Sequence, residues 1–192
     1  MDIVTDLMQQ AATGDNLATI SRSVGADGNA VQSALGMGLP AIVGSMATTA
    51  AKPGGADDLT KMMAQAGDSN PPDTMSGFLG GSAALGGSSM VSTLFGSQLA
   101  PVQNAIAQKT GLPPAVVGKV LEIAVPMVLA YVGRMAGGQK MDAAGLTNLL
   151  NEQSTMALAG SPDAAALAQH LMGTPAGGSD GVSGMFKNLL GK

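Results

Sequence analysis

The chain has 192 residues, of which 45% are apolar, 2% aromatic and 11% charged, and its formal net charge is −4. Its nine Lys and Arg residues are scattered, so it lacks the basic surface with which proteins neutralise phosphates, and we expect no nucleic-acid partner. The absence of cysteine excludes disulfides and thiolate catalysis. The 14 Met and few aromatic residues predict an adaptable aliphatic core, and the scarcity of charge leaves weak protection against self-association.

The N-terminal sequence MDIVTDLMQQ argues against a secretory signal. Asp2 and Asp6 stand where a signal peptide needs positive charge. The longest apolar run, residues 123–132, is too short to cross a bilayer. We therefore expect a cytoplasmic protein with no integral membrane segment.

Residues 1–67 show helical rather than strand periodicity and form a first helical unit. A first helix covers residues 2–12, and a second begins at Asp15 and stops at Gly25. Asp27 caps the third helix, and Asp57 begins the fourth, which ends at Gly67. The third helix carries one apolar stripe: Val31, Leu35, Leu39, Ile42 and Met46.

Residues 68–89 are rich in Gly, Ser and Pro and are typical of a flexible linker. Periodicity resumes in residues 90–153, the second helical unit, where Gly111 ends one helix and Pro113 begins the next. That helix carries two adjacent apolar stripes, which predicts burial over more than half of its circumference. It is the expected central helix.

The two units resemble each other when the sequence is shifted by 86 positions. The shift aligns Gly25 with Gly111 and Pro40 with Pro126, and three apolar pairs also match: Ile20 with Ile106, Val31 with Val117, and Leu35 with Leu121. We therefore predict an all-α, multihelical fold of two pseudo-repeated units with proline-kinked central helices. Gly25, Pro40, Gly111 and Pro126 are the structural positions of this prediction.

Two glycine-containing stretches superficially suggest nucleotide binding. GMGLPAIVGS (36–45) follows no strand, and its repeat partner EIAVPMVLAY keeps the proline but has no glycine, so packing explains it better than a dinucleotide site. GLPPAVVGKV (111–120) has the wrong spacing for a phosphate-binding loop. The single histidine, His170, lies on the polar side of an amphipathic segment. We expect no catalytic, cofactor-binding or metal-binding residue.

Glu122 leaves two readings open, because it stands inside the most apolar helix. A buried carboxylate there would have a raised pKa and mark a functional site. The alternative, which we favour, places it on the solvent-facing edge near Lys119. No second carboxylate or histidine is near it in sequence to support acid–base catalysis.

Residues 154–192 form a C-terminal helical tail with a Gly/Ser-rich spacer. Its last apolar segment carries the candidate interaction residues Met185, Phe186, Leu189 and Leu190. Such a tethered segment can fold back, dock onto a neighbouring subunit or lie on a membrane surface. Membrane binding by so short a segment with two lysines would be weak.

Three segments, SALGMGLPAIVGSM, LFGS and IAQKTGLPPAVVGKVLEIAVPMVLAYVG, together resemble the YidB-like family of bacterial proteins, over roughly residues 1–152. The resemblance implies an all-α, multihelical fold with homeodomain-like units. That family has no agreed enzyme activity, so no catalytic residue carries over. The chain departs from the pattern at Thr110, where the family has Ser, and residues 153–192 are unexplained.

These features favour a non-enzymatic structural protein that self-associates into a homo-oligomer or filament by helix docking between subunits. The alternative is an adaptor that binds a partner helix or an apolar ligand in a Met-lined groove. The two differ in that only the first requires more than one copy of the chain.

Overall fold

A computed structural model of the protein describes residues 3–68, 82–138 and 141–160. These ranges hold α-helices and contain no strand, which confirms the predicted all-α, multihelical fold. A short 3₁₀ turn covers Gly96–Gln98. The helices are α1 (Ile3–Ala12), α2 (Gly14–Val24), α3 (Gly28–Ala50), α4 (Gly55–Asp68), α5 (Ser82–Phe95), α6 (Leu99–Thr110), α7 (Pro114–Gly138) and α8 (Ala143–Gly160).

Left-handed glycines end α2 and α6. Gly25 has φ 72° and its N–H donates to the carbonyl of Ser21. Gly111 has φ 73° and its N–H donates to the carbonyl of Ala107. Because a side chain is strained in this conformation, glycine is the favoured residue at both helix ends.

The aspartates at helix starts have two different placements. Asp27 and Asp142 cap α3 and α8, since their carboxylates accept the N–H groups of Asn29 at 2.9 Å and Gly145 at 2.8 Å. Asp15 and Asp57, expected to begin their helices, lie within the first turns of α2 and α4. There a carboxylate still favours the helix through the dipole of the N-terminal turn.

The long helices α3 and α7 form the centre of the fold and pack against each other. Pro40 and Pro126 lie inside these helices and both are buried. The most extensive contact of α3 is with α8, and α7 packs extensively against α4 and α5. Helices of the two predicted units therefore share one continuous hydrophobic core. The internal repeat itself stays a prediction, although the glycine and proline positions agree with it.

Helix α5 begins at Ser82, so residues 82–89, expected in the linker, are helical. The reason is tertiary: a Cβ added at Gly87 would overlap the carbonyl oxygen of Glu122 on α7. That carbonyl lies four positions before Pro126, which has no N–H to donate to it. Glycine lets the two backbones meet there, and this packing outweighs the poor helix propensity of the Gly-Gly pair.

Among the described helices, α3 and α7 are long and apolar enough to cross a membrane. In the fold, 61% and 67% of their most apolar windows are buried inside the protein. Central helices of soluble proteins pass the same test of length and composition, so this is weak evidence for membrane spans.

Candidate interaction surfaces

The residues that the sequence suggested for interaction or chemistry have different outcomes. Met185, Phe186, Leu189 and Leu190 lie outside the described residues, as does His170. Glu122 is half-buried on α7, between the two environments considered for it. Within the described part of the chain, no ion pair joins it to Lys119.

A cleft of about 630 Å³ opens between α4, the C-terminal half of α7 and the start of α8. We call it the α4–α7–α8 cleft. Its volume lies in the range of pockets that bind small ligands. Its lining residues are Asp57, Thr60, Met63, Ala64, Ala130, Gly133, Arg134, Ala136, Gly137, Met141, Asp142, Ala143 and Leu146.

The floor of the α4–α7–α8 cleft is apolar, and several of its residues are small. Met63 and Leu146 are buried beneath it, and Met141 is half-buried. A Cβ added at Gly133 would lie 3.1 Å from the Cβ of Met63, so α4 and α7 approach closely at this glycine. Since Gly and Ala project little, they leave room in the cleft for larger side chains of another molecule or segment.

The rim of the α4–α7–α8 cleft carries charge of both signs. Asp57 and Asp142 are exposed at the starts of α4 and α8, and Arg134 is exposed on α7. The guanidinium carbon of Arg134 lies 5.9 Å from the ring centroid of Tyr131. The lining residues include two carboxylates and one guanidinium, so the charge of the lining is on balance acidic.

The lining chemistry of this cleft suits binding better than catalysis. Its one hydroxyl belongs to Thr60, which donates to the carbonyl of Ala56 at 2.8 Å, and no histidine stands in the lining to activate it. The two aspartates lie at the mouth in water rather than in a desolvated pocket. In the described ranges, no group of three His, Cys, Asp or Glu side chains is placed to hold a metal ion.

A second candidate surface is formed by α5, the 3₁₀ turn and α6. No charged residue occurs between Asp73 and Lys109. We call the solvent-facing part of these elements up to Gln108, before the exposed Lys109 in the last turn of α6, the uncharged face. Its side chains are small or neutral polar groups. Its exposed residues include Ser88, Ser89, Ser92, Thr93, Ser97, Gln98, Ala100, Pro101, Asn104 and Gln108.

A side-chain hydrogen bond joins helix α1 to helix α7. The hydroxyl of Tyr131 on α7 donates to Oδ2 of Asp6 at 3.0 Å. The pKa of Tyr131 is raised above its ordinary value, first by burial, then by the hydrogen bond to Asp6 and its negative charge, while Arg134 lowers it. The contact therefore favours the neutral phenol.

A bacterial family described as "Bacterial protein of unknown function (DUF937)" matches residues 6–135. The chain belongs to this family. Its match runs from α1 into α7 and is consistent with the YidB-like resemblance. No curated protein and no solved structure matches the chain significantly. Helix α8 lies beyond the matched range, so one wall of the α4–α7–α8 cleft is not part of the DUF937 match.

Sequence reasoning did not find either surface. The uncharged face had a readable signal, because the run without charge between Asp73 and Lys109 can be seen in the sequence. The α4–α7–α8 cleft had none, since its walls come from helices that are distant in the chain and meet only in the folded protein.

Proposed function

We propose that the protein is a non-enzymatic, cytoplasmic structural protein that self-associates through the uncharged face of α5 and α6. The observation that carries this proposal is the charge-free run between Asp73 and Lys109, much of it exposed on two adjacent helices. Surface charge of one sign keeps proteins apart, and this face has none to oppose contact with a second copy.

The side chains of the uncharged face favour burial against an identical face. Ser, Thr and Ala lose little rotamer freedom on contact compared with Lys or Glu. Their hydroxyls and the amides of Asn104 and Gln108 can both donate and accept, so a face can pair with its own copy. A two-fold pairing closes as a dimer, whereas a non-closing contact continues as a filament.

The test is the molar mass of the full chain measured by light scattering over a range of concentrations. We expect mass to rise with concentration for the wild type, and to fall to that of a monomer for Ser92→Lys with Asn104→Lys, which places like charges across the contact. The matched control is Ser23→Lys with Gln32→Lys, which adds the same charge at exposed positions on α2 and α3. A concentration-independent monomer would remove the proposal.

A second candidate function is that of an adaptor, and the α4–α7–α8 cleft is the observation that favours it. An apolar floor with Met63 and Met141 can adapt to different partners, because the methionine side chain is flexible. This function needs only a monomer with an accessible apolar cleft.

An environment-sensitive apolar dye tests the second function. Gly137 lines the cleft and Gly138 does not, and a Cβ added at either would meet no atom within 4 Å. In a chain that also carries Leu189→Ser and Leu190→Ser, so that its own apolar segment cannot compete with the dye, we expect Gly137→Arg to block the cleft and abolish dye fluorescence, and Gly138→Arg to leave it unchanged. Equal dye binding by the two variants would exclude this cleft.

A further inference from the structure

We propose that the α4–α7–α8 cleft binds the chain's own apolar segment, residues 185–190, in a fold-back contact. The inference rests on the second proposed function, because it names the occupant of that cleft. It pairs the cleft, which the structure describes, with residues 185–190, whose amphipathic character is known from the sequence alone. Three properties support the pairing: apolar content, charge and reach.

The apolar content of the cleft and of the segment is complementary. Residues 185–190 bring Met185, Phe186, Leu189 and Leu190, the large side chains that a floor of Ala and Gly can admit. Elsewhere on the described surface, the exposed large hydrophobic side chain is Met156, at 37% exposure. A single methionine offers no counterpart to an apolar segment of this size, so the cleft is the better acceptor.

Charge favours the same pairing. Residues 181–192 contain Lys187 and Lys192 and no acidic residue, while the cleft rim carries Asp57 and Asp142 against Arg134. The C-terminal end of α7, beside the cleft, also favours a cation through the helix dipole. Since these groups are exposed, we assign them orientation of the segment rather than most of its affinity.

The segment can reach the cleft of its own chain. Leu146 lies fourteen positions before Gly160 on α8, about 21 Å along the helix. Residues 161–184 can span up to about 80 Å when extended. A tethered segment has an effective concentration on the order of millimolar, so at micromolar protein its own segment outcompetes that of a neighbour.

The absence of tryptophan allows a direct test in the full chain. Phe186→Trp introduces one indole whose emission reports burial. We expect blue-shifted emission that is shielded from a soluble quencher and unchanged on dilution. Adding Gly137→Arg should shift the emission to that of an exposed indole, and adding Gly138→Arg should not.

Each other outcome contradicts one part of the proposal: that the segment docks, that it docks in this cleft, or that it belongs to the same chain. An indole that is exposed without any cleft substitution means that the segment does not dock. A shielded indole that ignores Gly137→Arg means that it docks elsewhere, and shielding that disappears on dilution means that the cleft holds a neighbour's segment. If the indole is exposed while dye binding is still lost in Gly137→Arg, the cleft's binding function stands and only its proposed occupant is wrong.

Discussion

The backbone N–H of Ile3 donates a hydrogen bond to Oε1 of Gln153, with the two atoms 2.9 Å apart and buried. The bond joins the first turn of α1 to α8, at the far end of the described chain. N–H groups in the first turn of a helix have no partner within it. A glutamine that is 4% exposed supplies one here, and so helps to fix α1 on the core.

Replacing Gln153 by Leu removes this acceptor while keeping a side chain of similar size. The N–H of Ile3 would then be buried without that partner, which costs about 1–3 kcal/mol of the free energy of unfolding. The urea midpoint should fall accordingly. Glu152→Gln, at the exposed neighbouring position, should change the free energy of unfolding by less than about 0.5 kcal/mol. Equal midpoints for the two variants would contradict the role of the bond.

The contact between Gly87 and Glu122 predicts opposite effects for two adjacent glycines on α5. Gly87→Ala places a methyl group on the carbonyl oxygen of Glu122, and overpacking of this kind costs about 1–3 kcal/mol. Gly86→Ala would meet only the Cε of Met90, at 3.6 Å, which is an ordinary contact. It should be neutral or stabilise the protein by up to about 1 kcal/mol through helix propensity.

Thermal unfolding followed by circular dichroism measures both changes. The sign of the difference between the two variants is the decisive quantity, because their composition and helix are the same. A stable Gly87→Ala protein would show that α5 and α7 can separate at this point without cost.

Two pairs of glycines show which parts of the fold could be predicted from the sequence. Gly25 and Gly111 are predictable because a helix end is set by local backbone conformation. Gly86 and Gly87 read as linker because their helix depends on a neighbouring backbone. That neighbour, Glu122, lies distant in the chain, so no periodicity within residues 82–89 could reveal it.

Gly25 and Gly111 have the same left-handed conformation, so alanine at either should have the same effect. The strain of a side chain with φ near 72° or 73° costs roughly 1–2 kcal/mol. No other atom lies within 4 Å of an added Cβ at these positions, so the loss would come from the backbone alone. Chemical denaturation of Gly25→Ala and Gly111→Ala measures it.

The control for this pair is Gly14→Ala. Gly14 has open space around an added Cβ and begins α2 without a positive φ. It should therefore keep or gain stability, by up to about 1 kcal/mol. If all three substitutions had equal effects, the left-handed conformation would not be the cause.

The candidate surfaces depend on tertiary structure to different degrees. Absence of charge between Asp73 and Lys109 is visible in the sequence, but only the fold shows which residues of α5 and α6 are exposed, and that they lie on adjacent helices. The α4–α7–α8 cleft is lined by Met63 and Met141, which are distant in the chain. The approach of Met63 to Gly133 follows from the packing of α7 on α4, which no local pattern encodes.

Tyr131 predicts a loss of stability at alkaline pH. Its pKa is raised in the folded protein, chiefly by burial and then by Asp6, above the value of about 10 in the unfolded chain. Between those two values the folded state binds more protons than the unfolded state. The stabilisation is therefore complete below pH about 10 and falls as pH rises toward the folded pKa. Tyr131→Phe should flatten this part of the stability profile.

Tyr131 is the one tyrosine of the chain, so ultraviolet absorbance titrates it directly. Asp6→Asn should lower its pKa, because it removes the negative charge of the hydrogen-bonding partner, yet burial should hold the pKa above the ordinary value. Arg134→Gln should raise the pKa, since the guanidinium favours the phenolate. Shifts in the same direction for the two variants would show that their charges do not act on the phenol as the structure indicates.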